Sequence, residues 1–104
     1  MRAALLVTAA LLTASIVHAQ AEPAGKRVTV NGCVSRGVEF GCLIIRDRKT
    51  NLPYSIGSAS PRPDAARGLM VHLTGVVSRK PDTCLQGPVL EKVKWNYTKT
   101  ECPK

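Results

Sequence analysis

The chain has 104 residues, 44% of them hydrophobic but only 4% aromatic, with 15 Lys and Arg against 7 Asp and Glu. That length is enough for one small domain and no more. The formal charge of +8 raises the question of an anionic partner, but the cations are scattered rather than gathered into a run, which is the pattern of a solvated surface.

Met1-Arg2 makes a short basic start, and residues 3–17 are apolar apart from Thr8, Thr13 and Ser15. Val17-His18-Ala19 and Ala19-Gln20-Ala21 both satisfy the small-x-small rule for cleavage. Residues 1–19 therefore read as a secretory signal peptide, short of the roughly 20 apolar residues that a bilayer span needs. No Cys follows closely enough for a lipid anchor, and no second apolar segment follows. The expected mature protein is soluble, and periplasmic or secreted. Arg2 leaves with the signal segment, so 14 Lys and Arg remain against 7 Asp and Glu, a formal +7.

About 85 residues are left, a size at which the buried fraction of surface is modest and exported domains commonly add disulfides. All four Cys (Cys33, Cys42, Cys84 and Cys102) lie beyond the signal segment. An even number in an exported chain predicts two disulfides, with three pairings open. There is no Cys-x-x-Cys pair, and His72 is the one imidazole left after cleavage. Neither a zinc site nor a thioredoxin-like redox site has its spacing, and no metal or cofactor is expected.

Residues 20–26 contain Glu-Pro-Ala-Gly and predict a flexible leader; residues 27–104 are the expected domain. Strand 1 spans about 27–35, within Val28-Thr29-Val30-Asn31-Gly32-Cys33-Val34-Ser35-Arg36. Its pattern returns at Val71-His72-Leu73-Thr74-Gly75-Val76-Val77-Ser78-Arg79. In both, alternate apolar residues mark one face, a Gly suggests a bulge or bend, and Ser-Arg follows as the strand runs out. Strand 2 is placed at 42–46 and strand 3 at 53–57, joined by a polar turn at 47–52. Residues 58–68 carry Pro61 and Pro63 and no strand pattern; Asp64-Ala65-Ala66-Arg67 predicts one helical turn ended by Gly68. Strand 4 covers 69–78, a loop with Pro81, Asp82 and Cys84 covers 79–87, and strand 5 covers 89–97, with Val89, Val93, Trp95 and Tyr97 on one face. The fold class expected is all-β: a five-stranded OB-fold-like barrel with a short helical turn between strands 3 and 4. An SH3-like barrel is the alternative, and it accommodates the insertion after strand 3 less naturally.

Gly32-Cys33-Val34-Ser35-Arg36-Gly37-Val38-Glu39-Phe40-Gly41-Cys42-Leu43, together with Thr83-Cys84-Leu85-Gln86-Gly87 and Trp95, resembles a family of small exported bacterial OB-fold-like domains of uncharacterised function. Phe40 stands where that family usually has Ala. The resemblance covers nearly all of the expected mature chain. It implies a small periplasmic or secreted barrel with a disulfide joining its two Cys-centred motifs, Cys42 with Cys84, and with it Cys33 with Cys102. It brings no activity, so no catalytic residue is carried over.

A hydrolase needs a nucleophile with a base in reach. His72 lies mid-strand among apolar residues with no triad partner near it in sequence, and reads as a strand residue. Glu39 reads as a carboxylate satisfying backbone donors of a tight turn; Asp47, Asp64 and Asp82 fall in turn segments, where Asp is common. OB-folds bind on the face of strands 2 and 3, between the loops joining strands 1–2 and 4–5. That rule gathers Arg36, Arg46, Tyr54, Arg79 and Lys80 as candidate ligand-binding residues. The repeated Ser-Arg further suggests that Arg36 and Arg79 grip one anionic group between them. Single-strand nucleic-acid binders stack bases on several aromatics; here only Phe40, Tyr54, Trp95 and Tyr97 exist, and Trp95 and Tyr97 read as core.

The function expected from sequence is therefore a non-enzymatic exported module binding a protein, glycan or other anionic cell-envelope ligand. The alternative is a structural or stress-related envelope protein with no dedicated site; a single-stranded nucleic-acid binder or an enzyme stands further back. The signal-peptide reading predicts a mature N-terminus at Gln20 or Glu22. Mass analysis of the exported protein checks it, and an intact Met1 outside the cytoplasm would overturn it.

Overall fold

The computed structural model describes residues 23–104; the expected signal peptide and the start of the leader lie outside the described residues. Five strands form one antiparallel sheet: β1 (Arg27–Arg36), β2 (Leu43–Asp47), β3 (Pro53–Ser55), β4 (Leu69–Val77) and β5 (Leu90–Glu101). Their order across the sheet is β3-β2-β1-β4-β5. A single 3-10 turn, Ala65–Arg67, sits between β3 and β4. The Asp64 carboxylate accepts from the Ala66 N–H to start it, and Gly68 in the left-handed region ends it, as the sequence suggests.

β1 serves two neighbours. Arg27 to Gly32 pair with β4, and Gly32 to Arg36 pair with β2. Gly32 belongs to both ladders, opposite Val71 on one side and Asp47 on the other. A Cβ at Gly32 would fall on the backbone carbonyl of Arg46, so the strand can change partners there only without a side chain. Asp47 closes the same junction: its carboxylate accepts from the Asn31 N–H (3.2 Å) and from the N–H and hydroxyl of Thr50 (both 3.0 Å). Burial pushes the Asp47 pKa up, but these hydrogen bonds and one from the Lys49 backbone outweigh it and hold the carboxyl below the usual aspartate value.

The core follows from the alternation. Val28, Val30 and Val34 of β1 meet Leu43 and Ile45 of β2 and Val71, Leu73 and Val77 of β4, with Tyr54, Ile56 and Leu90 completing the cluster. β5 departs from its expected face. Thr74 pairs with Lys94 but Val76 pairs with Glu91, so β5 carries one extra residue opposite Gly75, with Lys92 at positive φ. This bulge changes the parity of the strand. Leu90 and Val93 therefore share the inner face, and Val89, expected there, gives its place to Leu90. β5 also runs on to Glu101, past the expected end at Tyr97, because Glu101 pairs with Leu69 and Cys102 donates its N–H to Gly68. Trp95 and Tyr97 are half-buried against the core rather than inside it. Trp95 Nε1 donates to the Pro61 carbonyl (2.7 Å) and the Tyr97 hydroxyl accepts from the Asp64 N–H (2.8 Å), tying residues 61–64 to β5.

The sheet is not closed into the expected barrel. Its two edges meet at one parallel bridge, Ser55 with Val89. β3 is only three residues long, and Pro53 and Pro88 at this seam have no N–H to give. The Ser55 N–H donates to the Pro88 carbonyl (2.9 Å), and just beyond β3 the Ser58 hydroxyl donates to the Leu90 carbonyl (3.1 Å). Two disulfides, Cys33–Cys102 and Cys42–Cys84, span Cα–Cα distances of 5.9 and 5.8 Å, in the pairing the family resemblance implies.

Gly32→Ala forces a methyl group onto a backbone carbonyl that has no room to move without breaking a ladder. Loss of about 3 kcal/mol is expected, read as a lower urea midpoint at unchanged slope. A loss below about 0.5 kcal/mol would mean that the change of partner does not need glycine.

Candidate functional site

The outer face of β2 and β3 is where the ligand residues were expected. Ile44 and Ser55 are paired across the strands and point there, since their neighbours Leu43, Ile45 and Tyr54 fill the core. Yet Ile44 is only 4% exposed and Ser55 0%. The chain's own segment 78–89 lies against this face. The Asp82 carboxylate accepts the Ser55 hydroxyl through Oδ2, while Oδ1 accepts the N–H groups of Cys84 (3.1 Å) and Leu85 (3.3 Å). Gln86 Oε1 accepts the Val38 N–H (2.8 Å), and Cys84 is bonded to Cys42, so the 78–89 loop is also fastened to the loop joining β1 and β2.

Where segment 78–89 turns back beside β3 it leaves a slot of about 480 Å³. Leu52, Pro53 and Tyr54 form one wall; Val77, Pro81, Leu85 and residues 87–89 form the other. Gly87 is pressed against Pro53 so closely that a Cβ would strike the Pro53 carbonyl, which sets the narrow end. Arg79 and Lys80 line the slot and are exposed. Asp82 also lines it, but its carboxylate is held by Ser55 and the loop backbone. The slot is thus apolar in its walls and cationic at its rim.

The expected ligand residues divide into three places. Arg79, Lys80 and Tyr54 meet at the slot, but Tyr54 is a correction: it is buried in the core, not offered as a stacking surface, because alternation along β3 turns it away from the outer face. Arg46 is exposed on the outer face and donates to the Asn51 carbonyl (2.8 Å), closing the β2–β3 hairpin. Arg36 lines a second cleft of about 600 Å³ with Arg62, Glu39 and Phe40. The shared grip of Arg36 and Arg79 on one anion is not formed. β1 and β4 run antiparallel, so the repeated Ser-Arg pairs leave the ribbon at opposite ends.

Of the candidates for chemistry, His72, Asp47, Asp64 and Asp82 are engaged in structure, whereas Glu39, expected to satisfy turn donors, is exposed. His72 faces Asn31 across the β1–β4 ladder, with Nδ1 and Oδ1 2.7 Å apart. Among the described residues no group of three or more His, Cys, Asp or Glu stands close enough to hold a metal ion, and no helix is long and apolar enough to cross a membrane. Sequence reasoning missed Asp82 and Gln86 as the fasteners of the loop. Asp82 carried one signal, its place two residues before Cys84, where an Asx turn forms. Comparison with known protein families, curated proteins and solved structures finds no match.

Asp82→Ala strands a fully buried Ser55 hydroxyl and frees two loop N–H groups. A loss of about 2 kcal/mol is expected, with faster amide exchange at Cys84 and Leu85 and unchanged protection in β1 and β4. Unchanged exchange at Cys84 and Leu85 would refute the fastening role.

Proposed function

We propose that this chain is an exported OB-fold-type module that acts by binding an anionic ligand rather than by catalysis. The strand order β3-β2-β1-β4-β5, the turn between β3 and β4, and the parallel contact of β3 with the start of β5 support an OB-type arrangement left partly open. Two disulfides suit an oxidising, extracytoplasmic setting. The observation that carries the binding reading is the slot beside β3, with Arg79 and Lys80 at the rim of an apolar trench. It fits a ligand with an apolar body and one acidic group: the trench takes the body, and the two cations take the charge. The non-enzymatic part is supported by the Ser55–Asp82 pair, which has no imidazole beside it among the described residues, His72 being on β4 against Asn31.

One observation favours the purely structural alternative. The face on which an OB-fold ordinarily binds is covered by the chain's own loop, with Ser55 buried beneath it. Octyl phosphate, kept below its micelle-forming concentration, separates the two readings. Amide shifts on titration should map to residues 52–54 and 77–89. Arg79→Ala with Lys80→Ala should weaken binding about tenfold or more, in a salt-sensitive way and with an unchanged melting temperature; Arg46→Ala should bind as the parent does. Equal binding by the double variant, or no saturable binding by the parent, would leave the structural reading standing instead.

A further inference from the structure

The chain buries its large apolar side chains well, with a few exceptions. Phe40 is fully exposed, Val38 is 85% exposed and Leu85 81%. All three stand on the two loops joined by Cys42–Cys84 and by the Val38 N–H to Gln86 Oε1 bond. Val38 and Phe40 come from one loop and Leu85 from the other, so the bridge holds all three on one pair of fastened loops, an exposed apolar ridge. Val38 and Phe40 border the cleft that holds Arg36 and Arg62, and Leu85 borders the slot, yet all three side chains are largely open to solvent. The disulfide and the hydrogen bond fix the ridge before it meets anything, so little ordering is left for binding to impose.

The charges around the ridge select its occupant. Arg36 and Arg62 share a cleft with Phe40, and Arg79 and Lys80 precede Leu85 on its own loop. Of the nearby acids, Asp82 is turned onto Ser55, and Asp64, exposed in the same cleft as Phe40, accepts the Ala66 N–H; Glu39 is the exposed carboxylate between Val38 and Phe40. A second copy meeting the ridge face to face would bring these cations against their equivalents, in a chain of formal charge +8. An anionic phospholipid surface meets both features at once: apolar tips enter the acyl boundary while flanking cations stay with the headgroups. We infer that the disulfide-linked ridge of Val38, Phe40 and Leu85 is a peripheral docking site for an anionic phospholipid bilayer. The ridge shares Leu85, Arg79 and Lys80 with the slot, and its test leaves those three residues untouched.

The test uses the exported protein with both disulfides oxidised, sedimented with vesicles of phosphatidylglycerol and phosphatidylcholine in equal parts, or of phosphatidylcholine alone. The parent should bind the anionic vesicles at least tenfold more strongly than the neutral ones. Val38→Ser with Phe40→Ser should weaken anionic binding at least tenfold at an unchanged melting temperature, since neither side chain is in the core. Glu39→Gln should strengthen it about threefold by removing the opposing charge. Phe40→Trp should shift its emission to the blue on adding anionic vesicles, while the parent's Trp95, on β5, should not. Vesicle binding that ignores Val38→Ser/Phe40→Ser would mean charge alone and overturn the inference, as would absence of the blue shift. Self-association without lipid that disappears in the same double variant would assign the ridge to a second copy instead.

Discussion

A strand ten residues long lies between two neighbours here, and it cannot face both along its whole length without the sheet curling around it. β1 meets this by giving its first half to β4 and its second half to β2, changing over at Gly32. The changeover works because the Arg46 carbonyl occupies the space of a Gly32 side chain. The rest of the fold follows from that curl. It turns Val30 and Val34 toward one interior, lets Leu43, Leu73 and Leu90 meet there, and carries β3 round until Ser55 reaches Val89. Asp47 guards the same corner, holding the start of the hairpin to Asn31.

A core of this size leaves loops with little to pack on. The two disulfides address the two places where that matters. Cys33–Cys102 pins the end of β5 to the middle of β1 and closes a separation of 69 residues. Cys42–Cys84, with a separation of 42, joins two loops that no ladder connects. In the chain-entropy account each is worth roughly 4 kcal/mol against the unfolded chain. The second has a local effect as well: with Asp82 on Ser55 and Gln86 on Val38, it fastens a long connection at three points. The slot lies along that connection, and its Leu85 is exposed like Val38 and Phe40 of the β1–β2 loop to which it is fastened.

Much of the architecture was legible because local chemistry sets it. The alternation around Gly32, the Asp64 start and Gly68 stop of the 3-10 turn, and the polar turn between β2 and β3 are all decided within a few residues. The even Cys count foretold two bridges, and the resemblance their pairing. What was not legible depends on partners distant in sequence. The bulge at Lys92 is a mismatch between two strands, and reading β5 alone put Val89 where Leu90 belongs. Tyr54 looked like an exposed aromatic on a short strand, but the register with Ile45 turns it inward. The closed barrel failed at a seam of two prolines, where pairing needs donors that proline lacks. The repeat suggested that Arg36 and Arg79 act together. A repeat fixes similar local shape, whereas the direction in which the two strands run decides where their ends go, and these run opposite ways.

The covered face of β2 and β3 changes which parts of this fold can meet a partner. A sheet face binds through side chains set by alternation, and here those positions hold Ile44 and a Ser55 whose hydroxyl is already committed to Asp82. Withdrawing the loop would expose an apolar residue and two unpaired polar groups at once, which opposes opening more strongly than loss of packing alone. What this side of the molecule offers to solvent is therefore the loop that does the covering. That loop makes the cationic slot beside β3, and its bridge to the β1–β2 loop ties Leu85 to the loop that holds Val38 and Phe40. The same fastening that covers the sheet face thus also holds the slot and the exposed apolar side chains in place. That is why a chain with so few aromatics can leave Phe40 fully exposed at a loop tip without the loop folding back onto it.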